Sequence, residues 1–473
     1  MPHWQGLMMK WRSIKRSCSA WQIIALLCFQ AFSAHASERL VISSGIADYI
    51  AIPLFEADHP GISVKIEPVS PLYSELENKF ITKDNQVDVY RLNANLGIFR
   101  PLRAKGYFFD LSSDTTIKGF TERLHKPFRE QVFLEDGKIL GVPSFFILEY
   151  PILVNRDVAK AIGLAEKDFP ASILDLLKFV NAWEENYGEA FPEYAPFRAD
   201  EASSYALAHR NPYIGLVLEM YKDTFTAQGQ TLRYDTPLFL ALLGEIERWT
   251  YANDQDYAAK IADLPDYEHC LFYSFQAFDD EVLKWVCKNE RYIPLPLTPE
   301  SPVVQAYELE CVIVNPATST PEWAVELARC YVEDCQPALL RLLCTDKNAP
   351  YQSPDYQKNM EELQRWREEE AQKLESLHPS KQQEQKELLS LIDTLIQNEW
   401  DNPYEISADA VAQYKTAILP CLIARGEGIY ESEAIYAETM SYTLQWLNGA
   451  LSGEAYAKKL DDFLALAVAD GDE

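Results

Sequence analysis

Polar and aromatic side chains follow two short apolar runs in the first 100 residues. The runs at 40–42 and 87–90 are predicted to be buried strands. In an open α/β sheet, ligands bind beyond the carboxyl ends of the strands, where polar groups can hydrogen-bond to them and rings can pack against them. The candidate ligand-binding residues at these strand ends are Ser44, Asp48, Tyr49, Tyr90, Arg91 and Asn93.

A second set of candidates lies beside two extended segments. Residues 137–155 are mostly apolar and aromatic and include Pro143 and Pro151, and residues 292–296 form a shorter proline-marked segment. Extended segments of this kind can cross between lobes. For every candidate the alternative is a core ring, a helix cap or a surface charge. The candidates at these crossings are Phe145, Glu149, Tyr150, Tyr273 and Tyr307.

Sequence signatures of catalysis are absent. The chain contains no G-x-S-x-G, H-E-x-x-H, P-loop or dinucleotide fingerprint. Its histidines after the first 36 residues are far apart in sequence, and acidic pairs such as Asp279-Asp280 are adjacent and point in different directions on a helix. We therefore expect a binding protein without a catalytic residue, a metal or a cofactor.

The formal net charge of −29 limits the classes of partner. Residues 1–36 carry four basic and no acidic residues, so without them the charge is −33, four units more negative. A body this acidic repels nucleic-acid backbones and anionic lipid headgroups. A cationic ligand is one interpretation of this charge, and a role in solubility alone is the other.

The N-terminus has the layout of a secretory signal peptide. A basic segment at 10–16 precedes an apolar run at 20–32, and Ala34-His35-Ala36 matches a cleavage site. The apolar run is shorter than the ~20 residues of a membrane-spanning helix, although an uncleaved anchor remains the alternative. A lipid anchor on Cys28 is disfavoured because the bulky Leu27 precedes it. We expect an exported protein of the periplasm or the cell surface.

The seven cysteines that follow the signal segment are predicted to be buried thiols. Their number is odd, and no pair has the spacing of a zinc site. A Cys335–Cys344 disulfide is the alternative. The cysteines are Cys270, Cys287, Cys311, Cys330, Cys335, Cys344 and Cys421.

The predicted elements that position these residues alternate between strands and helices. Strands at 40–42, 62–66 and 87–90 are separated by helical patterns, which indicates an open α/β sheet. Later residues are richer in helices, two of which are predicted to begin at the caps Ser172 and Thr236. Residues 355–398 are highly charged and are predicted to form two solvated helices, or else a hairpin that docks a partner.

The order of several short motifs resembles the family 1 extracellular solute-binding proteins of ABC importers, which include maltose-binding proteins. The resemblance covers about 38–345 and 403–470, and 346–402 have no counterpart. The usual lipobox is missing. The motifs are 60–64 (PGISV), 87–89 (VDV), 106–111 (GYFFDL), 141–143 (GVP), 153–157 (LVNRD), 161–164 (AIGL), 312–315 (VIVN) and 446–449 (WLNG).

This resemblance implies a fold of two α/β lobes, the type II periplasmic-binding-protein fold, with a helix-rich second lobe. Lobe 1 would comprise 38–148 and 297–345, and lobe 2 would comprise 149–296 and 350–473. A monomer would bind a small-molecule solute between the lobes and deliver it to ABC transporter permease subunits, with hinge closure reporting occupancy. The ligand would be a sugar or oligosaccharide. The alternatives are a polyamine or other cationic solute, and a secreted carbohydrate-active enzyme.

Overall fold

The computed structural model of the protein describes most of the chain after residue 37. The chain divides into two units, one with Met1–Phe146 and Glu308–Gln336 and the other with Ile147–Tyr307 and Pro337–Glu473. The predicted signal segment lies outside the described residues. The described residues are 38–44, 51–68, 73–94, 99–134, 136–199, 210–251, 267–278, 282–283, 292–333, 337–353, 356–376, 379–401, 406–424 and 433–471.

The described strands are short except for one strand of ten residues. They are β1 (Glu38–Ser43), β2 (Ile62–Glu67), β3 (Val89–Asn93), β4 (Val142–Leu148), β5 (Ile152–Val154), β6 (Ala195–Ala199), β7 (Cys270–Ser274), β8 (Ala277–Phe278), β9 (Gln305–Val314) and β10 (Leu422–Ala424).

The described α-helices flank these strands in chain order. Those before β7 are α1 (Ala51–Asp58), α2 (Tyr73–Ile81), α3 (Phe99–Ala104), α4 (Thr115–Arg123), α5 (Lys126–Val132), α6 (Arg156–Ala161), α7 (Ile173–Asn181), α8 (Ile214–Ala227) and α9 (Pro237–Ile246). Those after β9 are α10 (Pro321–Glu333), α11 (Pro337–Leu343), α12 (Tyr356–Ser376), α13 (Pro379–Asp401), α14 (Ala408–Gln413), α15 (Glu433–Leu447) and α16 (Gly453–Gly471).

Shorter helical turns adjoin several of these elements. The 3₁₀ turns are Glu166–Asp168, Glu247–Trp249, Tyr267–His269 and Leu419–Cys421, and the π turns are Glu184–Gly188 and Tyr414–Ile418.

The first unit is built on the strand order β2-β1-β3-β9-β4. Strands β1, β2 and β3 are parallel, with Ile42 opposite Val89, whereas β9 runs antiparallel to β3, with Leu92 opposite Cys311. Apolar and β-branched residues fill the strands, and Ile42 and Val89 are fully buried. Helices cover the sheet, as the alternating pattern predicts.

One charged contact joins two helices of the first unit. Asp114 is the N-cap of α4, where its side chain accepts hydrogen bonds from the N–H groups of Thr116 and Ile117. An Oδ atom of the same carboxylate lies 2.6 Å from Arg329 of α10. The cap therefore also fixes α4 against α10.

The second unit contains a three-stranded sheet with the order β5-β7-β6. Strand β5 is antiparallel to β7, and β6 is parallel to it. Phe272 of β7 packs edge-on against Phe169 and Phe179, with ring centroids 5.8 and 5.7 Å apart. This sheet and the surrounding helices form the core of the second unit. The second unit is richer in helices than the first.

Strands β4 and β9 both continue from the first unit into the second. In the second unit, Ile147 of β4 pairs with Phe278 of β8, and Gln305 of β9 pairs with Leu422 of β10. The chain also passes from the first unit to the second after Gln336. Two of the three connections between the units therefore lie within strands, namely β4 and β9.

The charged segment predicted at 355–398 forms the two helices α12 and α13, which pack along each other. Met360 of α12 and Ile392 of α13 are buried. The Nε2 atom of Gln385 donates a hydrogen bond to the carbonyl oxygen of Glu370, and Arg367 pairs with Asp393. The prediction of two helices is confirmed, and a docking role for this segment stays a prediction.

The fold class and the predicted caps are confirmed. Ser172 caps α7 and Thr236 caps α9, each accepting a hydrogen bond from a backbone N–H three residues later. Asn155 caps α6 and donates through Nδ2 to the carbonyl oxygen of Glu268 at 2.8 Å, which is a structural role. These local signals depend on neighbouring residues only, so the sequence suffices to identify them.

The division into units differs from the predicted lobes at three places. Residues 147–148, 297–307 and 337–345 were predicted in lobe 1 but belong to the second unit. The reason lies in their partners, since β9 pairs with β10 at 305–307 and Lys415 donates through Nζ to the carbonyl oxygen of Cys344 at 2.9 Å.

Most of the described cysteines are buried, as predicted. Burial raises the pKa of the Cys311 thiol above its ordinary value, so this side chain stays protonated and unreactive. Cys287 and Cys335 lie outside the described residues, and Cys421 is half-buried. The buried cysteines are Cys270, Cys311, Cys330 and Cys344.

Candidate functional site

Arg91 is the centre of a polar cluster on the sheet of the first unit. Because successive side chains of β3 alternate between the two faces, Arg91 and Asn93 share one face and Tyr90 lies on the other. The Nε atom of Arg91 lies 2.9 Å from a carboxylate oxygen of Glu310 on the antiparallel strand β9. The guanidinium carbon lies 5.6 Å from the centre of the Phe145 ring on β4, a cation–π contact.

Asn93 extends this cluster by one step along the strand. Its Nδ2 atom donates a hydrogen bond to the carboxylate of Glu308 at 2.8 Å. On the neighbouring strand β4, the hydroxyl group of Ser144 donates to the carbonyl oxygen of Glu310 at 3.3 Å. The cluster therefore combines a guanidinium, an amide, two carboxylates and an aromatic ring, which can pair with hydroxyl groups and pack on a C–H face.

The two carboxylates were not among the residues predicted from the sequence. Glu308 and Glu310 alternate with apolar residues in the ten-residue strand β9. Two acidic residues two positions apart in one strand share a face, but the sequence does not show that the strand extends back to these positions.

Electrostatics in this cluster oppose ionisation of one carboxyl group. Burial raises the pKa of Glu310, and the neighbouring Glu308 charge raises it further, whereas the Arg91 guanidinium lowers it, with a net upward shift. Arg91 is therefore the neighbour that favours the ionised form of Glu310, against the effect of burial.

Ser44 lies at the carboxyl end of β1 and is buried. Its backbone N–H donates to the carbonyl oxygen of Glu67 at 2.9 Å, which continues the pairing of β1 with β2. The structure places Ser44 at the predicted strand end. Asp48 and Tyr49, predicted to follow it, lie outside the described residues.

Glu149 is the centre of a second polar network, in the second unit. Its carboxylate oxygens accept hydrogen bonds from Nε2 of Gln276 at 3.0 and 3.1 Å. Its backbone N–H donates to the carbonyl oxygen of Ala306 at 2.9 Å, and its carbonyl oxygen accepts from the side chain of Gln305. The network fixes the chain immediately after β4.

Tyr150 follows this network with a left-handed backbone, at a φ angle of +47°. Tyrosine rarely adopts this conformation, which costs about 1–3 kcal/mol and persists only where the surroundings hold it. Its ring is buried in the core of the second unit. Tyr273 is also mostly buried and stacks on Phe275, with ring centroids 6.1 Å apart and an interplanar angle of 8°.

Two of the residues predicted to contact a ligand have side chains that lie in the core. Tyr90 is fully buried and packs against Phe80, with ring centroids 4.8 Å apart. Burial raises the pKa of its hydroxyl group. Tyr307 is likewise fully buried. Both rings occupy the apolar interior, and contact of either ring with a ligand stays a prediction.

A separate hollow of about 250 Å³ lies on the second unit. Arg156 and Glu166 form an ion pair of 2.5 Å beside it, and both side chains are exposed. None of the predicted ligand-binding residues lines this hollow. Its lining residues are Val154, Arg156, Glu166, Phe169, Pro170, Tyr292 and Ile293.

The described ranges contain neither a metal-binding cluster nor a helix suited to span a membrane. No group of three or more His, Cys, Asp or Glu side chains there is arranged to hold a metal ion. None of the helices in the same ranges combines the length and the apolar composition needed to cross a bilayer.

Solved structures of solute-binding proteins share this fold. The binding protein msme of Bacillus subtilis, in an open conformation, is 11% identical, with a TM-score of 0.53 over 93% of this chain and 99% of that one. The maltose-bound MalE3 of T. maritima is 15% identical, with a TM-score of 0.50 over 91% and 100% of the two chains.

A third structure carries a polyol. The ABC transporter solute-binding protein of Agrobacterium vitis, with bound D-mannitol, is 12% identical, with a TM-score of 0.51 over 92% of this chain and 99% of that one. The chain therefore has the two-lobed α/β fold of such proteins. No model of a protein family and no curated protein sequence matches this chain.

Proposed function

We propose that this protein is an extracytoplasmic solute-binding protein that captures a sugar or oligosaccharide and delivers it to an ABC transporter. The observation that carries this proposal is the fold, which is shared over nearly the whole chain with binding proteins for maltose and D-mannitol. The signal-peptide pattern at residues 10–36 supports export to the periplasm or the cell surface.

The polar cluster around Arg91 supplies suitable chemistry for such a ligand. The guanidinium of Arg91 and the amide of Asn93 donate hydrogen bonds to hydroxyl oxygens, and Glu308 accepts from hydroxyl groups. The Phe145 ring offers an apolar face to sugar C–H groups. The ligand binds reversibly, and closure of the two lobes around it signals occupancy to the permease subunits.

A cationic solute is a second candidate for the same site. Two carboxylates, Glu308 and Glu310, lie beside the single guanidinium of Arg91 in this cluster. The net charge of −29 would attract a polyamine from a distance. Binding of spermidine that weakens steeply with added salt would favour this candidate over a sugar.

Calorimetry with maltose, D-mannitol and a panel of oligosaccharides tests the sugar proposal. The variant Arg91→Gln removes a charged donor, and we expect it to weaken binding about tenfold or more. Lys126→Gln is the control, because Lys126 belongs to an exposed pair with Glu130 and should leave affinity unchanged. Failure of every solute in the panel to bind the unmodified protein would contradict the proposal.

Reversible binding without chemistry is part of the same proposal. Oligosaccharides incubated with the purified protein should be recovered intact. Release of shorter glycans would instead identify a carbohydrate-active enzyme.

A further inference from the structure

We infer that Glu310 is a specificity-determining residue: it offsets the charge of Arg91, so that the site accepts uncharged hydroxylated ligands and disfavours anionic ones such as sugar acids. The inference rests on the proposed function, because it takes the Arg91 cluster to be the ligand site.

The geometry places the two charges in direct contact inside the sheet. Arg91 and Glu310 are on adjacent antiparallel strands, where Glu310 lies opposite Asn93 and is therefore diagonal to Arg91. The contact between Nε and the carboxylate oxygen is 2.9 Å, and the side chains are only 7% and 20% exposed. Charges so weakly screened by water interact strongly.

The other contacts hold this pair in one orientation. The Phe145 ring lies against the guanidinium, and the backbone carbonyl of Glu310 accepts a hydrogen bond from Ser144 on the next strand. A guanidinium fixed on two sides presents its planar donors in a set direction, which favours recognition of paired oxygens. Without a compensating carboxylate, such a group would bind a ligand carboxylate tightly.

Few charged groups belong to the strands that form this face. The strand β4 has none, β3 contributes Arg91, and β9 contributes Glu308 and Glu310. Glu308 is held by Asn93, whereas Glu310 contacts Arg91 itself. Glu310 is therefore the residue whose charge directly sets how strongly Arg91 attracts an anion.

A charge-removing variant distinguishes this role from a purely structural ion pair. Glu310→Gln keeps the size and one acceptor oxygen but loses the negative charge. Affinities for maltose, D-mannitol and D-glucuronate are measured by calorimetry for this variant and for the unmodified protein. We expect the ratio of glucuronate affinity to maltose affinity to rise about tenfold in the variant, because the Arg91 charge is no longer offset.

Asp114→Asn is the matched control. It removes one carboxylate from a different guanidinium pair of the same unit, that with Arg329. A structural effect of losing such a pair would lower stability in both variants, but only Glu310→Gln should change the ratio.

The outcomes separate the inference from the proposed function. An unchanged ratio, with binding of maltose or mannitol retained, overturns the inference and leaves the function in place. Glucuronate binding by Glu310→Gln alone, with no probe bound by the unmodified protein, overturns the sugar function and supports the inference. Binding of no probe by either protein overturns both.

A second measurement tests the inference even if the Glu310→Gln variant fails to fold. Burial raises the pKa of Glu310, so acidification of the unmodified protein protonates this residue before ordinary carboxyl groups. The glucuronate-to-maltose ratio should rise on acidification, and a ratio that stays constant contradicts the inference.

Discussion

Individual buried hydroxyl groups of the second unit differ in their hydrogen bonding. The hydroxyl oxygens of Thr443 and Tyr456 lie 2.8 Å apart, and both side chains are fully buried. Ser274, at the end of β7, is also fully buried, but its Oγ atom has no hydrogen-bond partner within the described part of the chain. Burying a polar group without a partner costs free energy, whereas a partnered group offsets that cost.

This difference predicts opposite effects of removing the two hydroxyl groups. Ser274→Ala should leave the free energy of unfolding unchanged or raise it by up to about 1 kcal/mol, since no hydrogen bond is lost. Thr443→Val should lower it by about 1–3 kcal/mol, because the Tyr456 hydroxyl then stays buried without this partner. Urea denaturation of both variants measures the difference, and a marked loss in Ser274→Ala would show that its hydroxyl group is bonded.

Residue types alone could identify the site only in part. Arg91, Asn93 and Phe145 were predicted from their places after strands and at a crossing, and the structure brings these three together. Tyr90 was predicted by the same rule, but it lies on the opposite face of β3, where its ring fills the core. The position of a residue near a strand end therefore predicts its neighbourhood, and the alternation of the strand decides its face.

At the scale of elements, the N-terminus of α4 depends on one carboxylate. Burial raises the pKa of Asp114, but the N–H of Ile117, the Arg329 guanidinium and the N–H of Thr116 together outweigh it, so the net pKa is lowered. A lowered folded-state pKa means that the carboxylate stabilises the fold above its unfolded pKa. This stabilisation disappears as the pH falls through the folded-state pKa.

We therefore expect Asp114→Ala to lower the free energy of unfolding by about 1–2 kcal/mol at pH 7. The difference from the unmodified protein should begin to shrink below about pH 4, where Asp114 is protonated in the unfolded state, and should be lost only as the pH falls through the lowered folded-state pKa. Denaturant melts over a series of pH values give this difference. A constant difference from pH 7 down to pH 3 would show that the charge of Asp114 contributes nothing.

The segment that contains the helical pair α12 and α13 begins and ends at two backbone positions that are hydrogen-bonded to each other. Tyr351 and Ile406 exchange two backbone hydrogen bonds, with N···O distances of 2.8 and 3.1 Å. The ends of the intervening segment thus lie side by side. A short Gly-Ser linker can replace the helices with little change in loop-closure entropy.

Deletion of residues 356–401 with such a linker should leave the remaining protein folded and its ligand affinity unchanged. Far-ultraviolet circular dichroism should lose the signal of the 21-residue and 23-residue helices. Calorimetry with the ligand identified for the full chain measures the affinity. Loss of binding in a deletion protein that still melts cooperatively would show that this pair takes part in ligand capture.

The start of strand β9 could not be predicted from the sequence. The apolar run at 312–314 forms the end of β9, but this strand begins at Gln305. Glu308 and Glu310 interrupt the apolar run, so the first half of this strand does not resemble a buried one. Its extended conformation is set by pairing with β3 and β10, which are distant in sequence.

At the scale of the whole molecule, the order of short motifs predicted a fold that single motifs could not. The solved structures with this fold are only 11–15% identical to the chain, yet they cover more than 90% of it. Apolar patterning and turn positions survive such divergence, whereas ligand-contacting residues do not. The fold therefore carries the proposed function, and the Arg91 cluster supplies chemistry suited to the proposed ligand.

The chain passes three times between the two units. The proposed function requires the two lobes to close around the ligand as rigid bodies, which is one of the known structural responses to a ligand. A ligand can drive such a change only if it binds the closed state more tightly than the open one.

Small-angle X-ray scattering with and without a saturating sugar identified by calorimetry tests the proposed function most directly. We expect a decrease in the radius of gyration on addition of the sugar, and the same decrease for the Arg91→Gln variant only at sugar concentrations about tenfold higher or more. Tight binding of the sugar with an unchanged radius of gyration would contradict capture by lobe closure.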